Sequence, residues 1–121
     1  PALALVLARV RDRVDVPFNH VLANRYRSGD DSMGLHADDE PELGPEPVVA
    51  IASFGVPRRL VVKPRRKSLG VARAFSLGRG SLLVMGATCQ GHYVHGVPRP
   101  PHVDGERISL TFRRVLRAPD Q

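Results

Sequence analysis

Residues Arg107–Val115 read RISLTFRRV, and the alternation inside them sets the fold class. Ile108, Leu110 and Phe112 alternate with Arg107, Ser109, Thr111 and Arg113. Successive side chains of a strand point to opposite faces, so one face is apolar and the other carries two arginines. If the apolar face packs against a helix, the arginines turn inward, where a guanidinium requires an anionic partner. Two arginines converging in a barrel would select a small dicarboxylate or a phosphate. Taken alone, the segment also reads as a half-buried strand with its polar face in water, and that is the simpler reading.

Upstream, the chain breaks into short β-type runs separated by Gly, Pro and Asp. Candidate strands are Phe18–Arg27, Val48–Val56, Leu60–Lys63, Val71–Leu77 and Ser81–Met85. Arg27–Asp31 and Leu77–Gly80 read as turns, and the proline-rich Gly96–Gly105 as a loop. Ala2–Val14 instead spaces Leu3, Leu5, Val6, Val10 and Val14 at a helical period, with Pro1 suited to a first turn and Pro17 ending the pattern. The expected architecture is mainly β with a flanking helix: one domain over 1–121, with the helix in 1–16 and a jelly-roll core in 18–115.

A chain of 121 residues suits one modest core, and 42% hydrophobic with 25% charged residues is an ordinary globular composition. Ala2–Ala8 and Val48–Ala52, the longest apolar stretches, are too short to cross a bilayer. No charged segment followed by an apolar one opens the chain, so a secretory signal is not expected. The single cysteine, Cys89, excludes an internal disulfide and a cysteine-based zinc site, which fits a reducing compartment. It is read as a small, partly buried residue rather than a nucleophile. The expected location is cytoplasmic, or nuclear in a eukaryote, and the expected state is a monomer. Lys and Arg outnumber Asp and Glu by 18 to 12, a net charge of +6 that favours a polyanionic partner. Six of those cations fall in Arg58–Lys67, RRLVVKPRRK, where a strand–turn–strand with Pro64 at its tip could present Arg58, Arg65, Arg66 and Lys67 to phosphates. A soluble basic hairpin would look the same.

His36-Ala37-Asp38 is a His-x-Asp triplet, whose outer side chains share a face in extended chain. His95 lies 57 residues beyond Asp38. Two imidazoles and a carboxylate on one side of an octahedral ion leave positions open, an arrangement suited to non-haem Fe(II). His-x-Asp by itself is weak, and more often marks a surface turn. Its company raises its weight: Asn24 and Tyr26 share a face of the preceding strand, and the two arginines follow His95.

In that order the segments NRYRSGDD, GLHADDE, IASFG, GSLLVMG, HYVHGVPR and RISLTFRRV closely resemble the AlkB family of Fe(II)/2-oxoglutarate nucleic-acid dealkylating dioxygenases, over about Phe18–Val115. HADDEPELGP and HYVHGVPR look nearest to its double-strand-DNA-repair branch. The resemblance implies that His36, Asp38 and His95 bind iron and that Asn24, Tyr26, Arg107, Ser109 and Arg113 hold 2-oxoglutarate. Within that set it places Arg107 and Tyr26 on the distal carboxylate and Arg113 nearer the metal. The family usually has asparagine where this chain has Ser109, so one hydrogen bond to the co-substrate is expected to weaken. Asp39 and Glu40 would accept hydrogen bonds from a cationic base such as N1-methyladenine or N3-methylcytosine, and the basic hairpin would hold DNA. The implied reaction is oxidative demethylation of alkylated DNA with Fe(II), 2-oxoglutarate and O2, yielding succinate, CO2 and formaldehyde. RNA or a protein side chain as substrate, or a non-catalytic nucleic-acid-binding module, are the competing readings. Relatives stack an aromatic residue from an N-terminal lid on the flipped base. No aromatic precedes Phe18 here, so an N-terminal portion is expected to be missing and repair by 1–121 alone to be poor. His92 is expected to pack near the site, and His20 and His102 have no assigned partner.

Overall fold

The structure is a computed structural model that describes residues 2–99 and 104–116. It opens with helix α1 (Ala2–Arg13), followed by strands β1 (His20–Tyr26), β2 (Met33–His36), β3 (Val49–Gly55), β4 (Arg58–Pro64), β5 (Arg73–Leu77) and β6 (Leu82–Met85). A single helical turn, α2 (Cys89–His92), then leads into β7 (Tyr93–Val97), and β8 (Arg107–Arg113) ends the sheet structure. The strands form two four-stranded antiparallel sheets, ordered β1-β8-β3-β6 and β2-β7-β4-β5. This is the expected jelly roll. Among the described residues no helix is long and apolar enough to cross a membrane.

Apolar burial is divided between the two faces of the first sheet. On its outer face, Val10 of α1 packs with Phe18, Ala50, Ala52 and Phe112, supported by Val6, Leu7 and Val14. The two alanines of β3 leave room for the helix to approach. Burying Phe18 and Phe112 contributes on the order of 2–3 kcal/mol each. On the inner face, Val49 and Ile51 join Met85, while Tyr26 meets Leu60, Leu77 and Val97 from the second sheet. β3 is covered on both sides, so it reads as a continuous apolar run rather than an alternating one.

The inward turn of the β8 arginines is realised because β8 is a central strand, paired with β1 on one side and β3 on the other. Arg107, Ser109, Thr111 and Arg113 are all buried, and Phe112 faces the helix. Three expectations are corrected. The helix stops at Arg13, and Leu3 and Leu5 are exposed, because the stripe that meets the sheet runs through Val6, Leu7, Val10 and Val14. The short strands β2 and β7 were not anticipated, since glycines interrupt both and their pairing is with distant sequence. Consequently Gly96 and Val97 belong to a strand, and the loop begins at Pro98. Pro1 and His102 lie outside the described residues.

Gly96 fixes how closely β2 approaches β7. The register between them slips between the Met33–Val97 and His36–His95 pairs. A Cβ on Gly96 would stand 2.8 Å from the Met33 carbonyl oxygen and 3.0 Å from the Gly34 carbonyl carbon, both backbone atoms. Gly96→Ala therefore has to push β2 away. The expected result is a loss of about 1–3 kcal/mol in urea unfolding, together with weaker Co(II) binding as His36 leaves its position opposite His95.

Candidate metal and co-substrate site

His36 ends β2 and lies directly across from His95 of β7, with ring centroids 4.4 Å apart. Asp38 follows β2 after one residue and is buried, its Oδ2 standing 3.6 Å from His95 Nε2. One donor atom from each of the three lies within 4.8 Å of the others. The set is two imidazoles and a carboxylate gathered at the end of one strand pair, which suits a divalent transition metal. His36 Nδ1 is 2.9 Å from the Gly34 carbonyl oxygen, so as the donor tautomer it leaves Nε2 free for a metal. Burial, and secondarily the neighbouring His36, pushes the His95 pKa below its usual value, partly offset by Asp38. His95 therefore stays neutral, and its approach to Asp38 is a pair of potential ligands rather than a salt bridge.

Two contacts position Asp38. Its backbone N–H donates to Gln90 Oε1 at 2.7 Å, and Gln90 is itself fully enclosed and donates to Met85 Sδ at 3.5 Å. Gln90 thus joins the Asp38 segment to the turn that leads into β7 and His95. On the other side, Arg113 Nη1 lies 3.5 Å from Asp38 Oδ1 and 3.3 Å from Glu40 Oε1, and its Nη2 is 3.3 Å from His20 Nδ1.

The cavity between the sheets is lined by all three ligand candidates and by Asn24, Tyr26, Arg107 and Ser109. Arg107 is 1% exposed. Its Nη2 donates to Ser53 Oγ at 2.9 Å, and its guanidinium carbon sits 5.1 Å from the Tyr26 ring centroid. Nε and Nη1 are buried and have no partner among the described residues. Burial lowers the Arg107 pKa, with Tyr26 opposing, yet a guanidinium remains charged. Unsatisfied N–H donors on a desolvated cation fit a bound anion such as a carboxylate. The residues present thus fit Fe(II) together with a small dicarboxylate. A broader groove under α1, lined by Val6, Val10 and Leu82, lies away from these groups.

The other expected site residues separate. Asp39 and Glu40 are exposed directly after Asp38, with Asp39 3.6 Å from Arg65 Nη2. Arg65 also donates to the Gln90 carbonyl at 2.8 Å, which ties the basic hairpin to the metal-ligand segments. Arg66 and Lys67 are exposed beyond β4. Arg58 does not belong with them: it is 2% exposed, and its guanidinium donates to the carbonyls of Ser28, Asp31 and Pro98. A side chain so enclosed cannot reach a phosphate backbone, and its assignment as a nucleic-acid contact is withdrawn. Arg113 is buried beside Asp38 but does not line the cavity itself. Cys89 is half-buried with its thiol pKa raised by burial, in keeping with an unreactive role. His92 is partly buried, its backbone carbonyl accepting from the Arg65 N–H. Ser53, His20 and Gln90 were not singled out as site residues beforehand. Ser53 had a signal, a lone small polar residue in an apolar strand; Gln90 had none.

Residues 2–113 match the family described as the 2OG-Fe(II) oxygenase superfamily. The DNA oxidative demethylase ALKBH2 of Mus musculus is 40% identical over 122 residues, covering 92% of this chain and 51% of that protein. For Homo sapiens ALKBH2 the figures are 40% over 123 residues, 92% and 46%. The alpha-ketoglutarate-dependent dioxygenase alkB homolog 3 of Mus musculus is 37% identical over 126 residues, covering 98% of this chain and 44% of its own length. The chain thus spans about half the length of the curated relatives it matches.

Gln90→Leu removes the acceptor for the buried Asp38 N–H while keeping most of the side-chain volume. Co(II) affinity should fall roughly 10- to 100-fold, the usual consequence of losing an outer-shell partner. Gln90→Glu, which keeps an acceptor oxygen, should retain more of it. Equal affinities for the native and Gln90→Leu proteins in a Co(II) absorbance titration would show that Gln90 only fills space.

Proposed function

Since this chain belongs to the AlkB family of the 2OG-Fe(II) oxygenase superfamily, we propose that it oxidatively demethylates N-alkylated bases in DNA, coupled to decarboxylation of 2-oxoglutarate. One observation carries the reading. His36, Asp38 and His95, whose donors lie close together, and Arg107, two of whose nitrogens are buried without a partner among the described residues, line the same small cavity.

In this reading His36, Asp38 and His95 hold Fe(II), and the distal carboxylate of 2-oxoglutarate lies on Arg107 with Tyr26, Asn24 and Ser109 around it. With these bound, O2 oxidises 2-oxoglutarate to succinate and CO2, and its second oxygen atom hydroxylates the N-methyl carbon of the base, which departs as formaldehyde. The protein's own work is to hold and to shield. His95, kept neutral by burial, offers a lone pair instead of a proton. Leu60 and Ile51 line the cavity and exclude water, which strengthens every charge–charge interaction inside it. Arg113 holds Asp38 from outside the cavity and fixes the direction of its carboxylate.

The rim supports a nucleic-acid substrate. Asp39 and Glu40 are exposed carboxylates next to the ligand segment and can accept hydrogen bonds from a cationic methylated base. Arg65, Arg66 and Lys67 lie on the adjoining hairpin, where phosphates could dock. A target base must leave its stack to reach the cavity, which favours lesions whose pairing is already weak. A monomer in the cytoplasm or the nucleus, where DNA is found, accompanies the proposal. The relatives named as DNA oxidative demethylases favour DNA over RNA or protein.

With Fe(II), 2-oxoglutarate and an oligodeoxynucleotide carrying one N1-methyladenine, succinate and formaldehyde should appear in equal amounts. Asp38→Ala should lower both at least 100-fold. The matched RNA should react more slowly. Faster release of formaldehyde from RNA than from DNA would replace the substrate, and succinate unaffected by Asp38→Ala would remove the assigned metal site.

A further inference from the structure

Among the described residues, Arg58 is the one buried arginine left without a function by the reading above. Its guanidinium carbon lies 5.3 Å from the centroid of the Tyr26 ring, and that of Arg107 lies 5.1 Å from the same centroid. The two charges are therefore within about 10 Å of each other, close to one Debye length at 0.1 M salt, and protein rather than water surrounds them. Among the described residues neither forms an ion pair with a carboxylate. The carbonyls of Ser28, Asp31 and Pro98 accept Arg58 hydrogen bonds, and the Asp31 carboxylate, itself paired with Arg27, is near enough for Arg58 to help lower its pKa, so it offsets only part of the Arg58 charge. Burial is the main influence lowering the Arg107 pKa, and Arg58, a like charge nearby, adds to it in the same direction.

We propose that Arg58 is a positioning and specificity residue of the co-substrate site: fixed beside Tyr26, its charge adds to that of Arg107 and makes the site prefer a dicarboxylate keto acid over a monocarboxylate one. The inference rests on the proposed seat of the distal carboxylate at Arg107. The physical case is electrostatic. Two buried cations repel each other while the cavity holds no anion, and a carboxylate placed on Arg107 relieves that repulsion. Arg58 does not need to touch the ligand, because in an environment poor in water its field reaches the Arg107 fork. A keto acid that lacks the distal carboxylate places no charge there and gains little. Tyr26 stands against both guanidinium groups, a geometry in which the electron-rich ring face favours each cation.

Alternation along β4 supports the assignment. Arg58 shares the inward face of its strand with Leu60 and Val62, which pack with Tyr26, while Arg59 and Lys63 point to solvent. Arg58 thus lies buried behind Tyr26, which lines the cavity, in contrast to the basic residues that follow it at the hairpin tip.

The test compares 2-oxoglutarate with 2-oxopentanoate, which has the same chain length but no distal carboxylate, by calorimetry on Mn(II)-loaded protein. Native protein, Arg58→Gln and Arg58→Lys are measured, and the ratio of the two affinities within one preparation does not depend on the fraction folded. Arg58→Gln should bind 2-oxoglutarate roughly 10-fold more weakly, with 2-oxopentanoate nearly unchanged, and Arg58→Lys should regain most of the preference. An unaltered ratio in Arg58→Gln would make Arg58 a scaffold for the Ser28–Asp31 turn and overturn the proposal. Native protein that itself shows no preference for 2-oxoglutarate would instead refute the seat at Arg107, a failure of the underlying reading that this design tells apart from a failure of Arg58.

Discussion

Arg107 is a permanent charge removed from water with two of its nitrogens unmet among the described residues, and the rest of the molecule is arranged to sustain that condition. An isolated ion of this kind is strongly unfavourable in a protein interior unless hydrogen-bonded and paired. Ser53 supplies one acceptor and Tyr26 a ring face. The remaining demand can be met by a bound carboxylate, so an unfavourable feature of the empty fold becomes affinity in the loaded one. Burying the cation also makes the site selective, since a neutral ligand would leave the fork unsatisfied.

That arrangement explains where the hydrophobic stabilisation lies. The space between the sheets, which in a simple sandwich would be wholly apolar, contains Arg107, Arg58, Ser109, Thr111 and the His36–Asp38–His95 group. Compensating apolar burial is moved to the outer face of the first sheet, where α1 covers Phe18, Ala50, Ala52 and Phe112. β8 serves both sides at once. Its Phe112 anchors the helix, and its Arg107, on the opposite face, anchors the proposed co-substrate. The edge strand β2 brings His36, and the Asp38 that follows it, up to His95 of β7, held there by the absent side chain of Gly96 and by Gln90.

Much of this was legible in the residues, and what was not has identifiable causes. Strict alternation in Arg107–Arg113 announced a strand with a charged face, although only its central place in the sheet decides that this face is buried. His36, Asp38 and His95 were recognisable through their order with Asn24, Tyr26 and the arginines, a pattern that needs no knowledge of pairing. β2 and β7 were not visible, because four or five residues interrupted by glycine carry no periodic signal and depend on partners some 60 positions away. Arg58 was misassigned for a different reason. Counting basic residues in Arg58–Lys67 ignores direction, whereas the period of two places Arg58 with Leu60 and Val62, on the inner side. Gln90 could not have been found at all, since its meaning lies in a hydrogen bond to a residue 52 positions earlier.

The central claim is that the metal ligands and Arg107 form one site for Fe(II) and 2-oxoglutarate. Its most direct test is an anaerobic titration of Fe(II)-loaded protein with 2-oxoglutarate, following the weak visible charge-transfer band of the chelate, in native, His95→Ala and Arg107→Ala proteins. The account expects a band in the native protein, none in His95→Ala, and in Arg107→Ala a band that needs at least 10-fold more 2-oxoglutarate, the scale of a lost charge-assisted pair. A band that develops at the same 2-oxoglutarate concentration in Arg107→Ala, or no band in folded native protein, would contradict it.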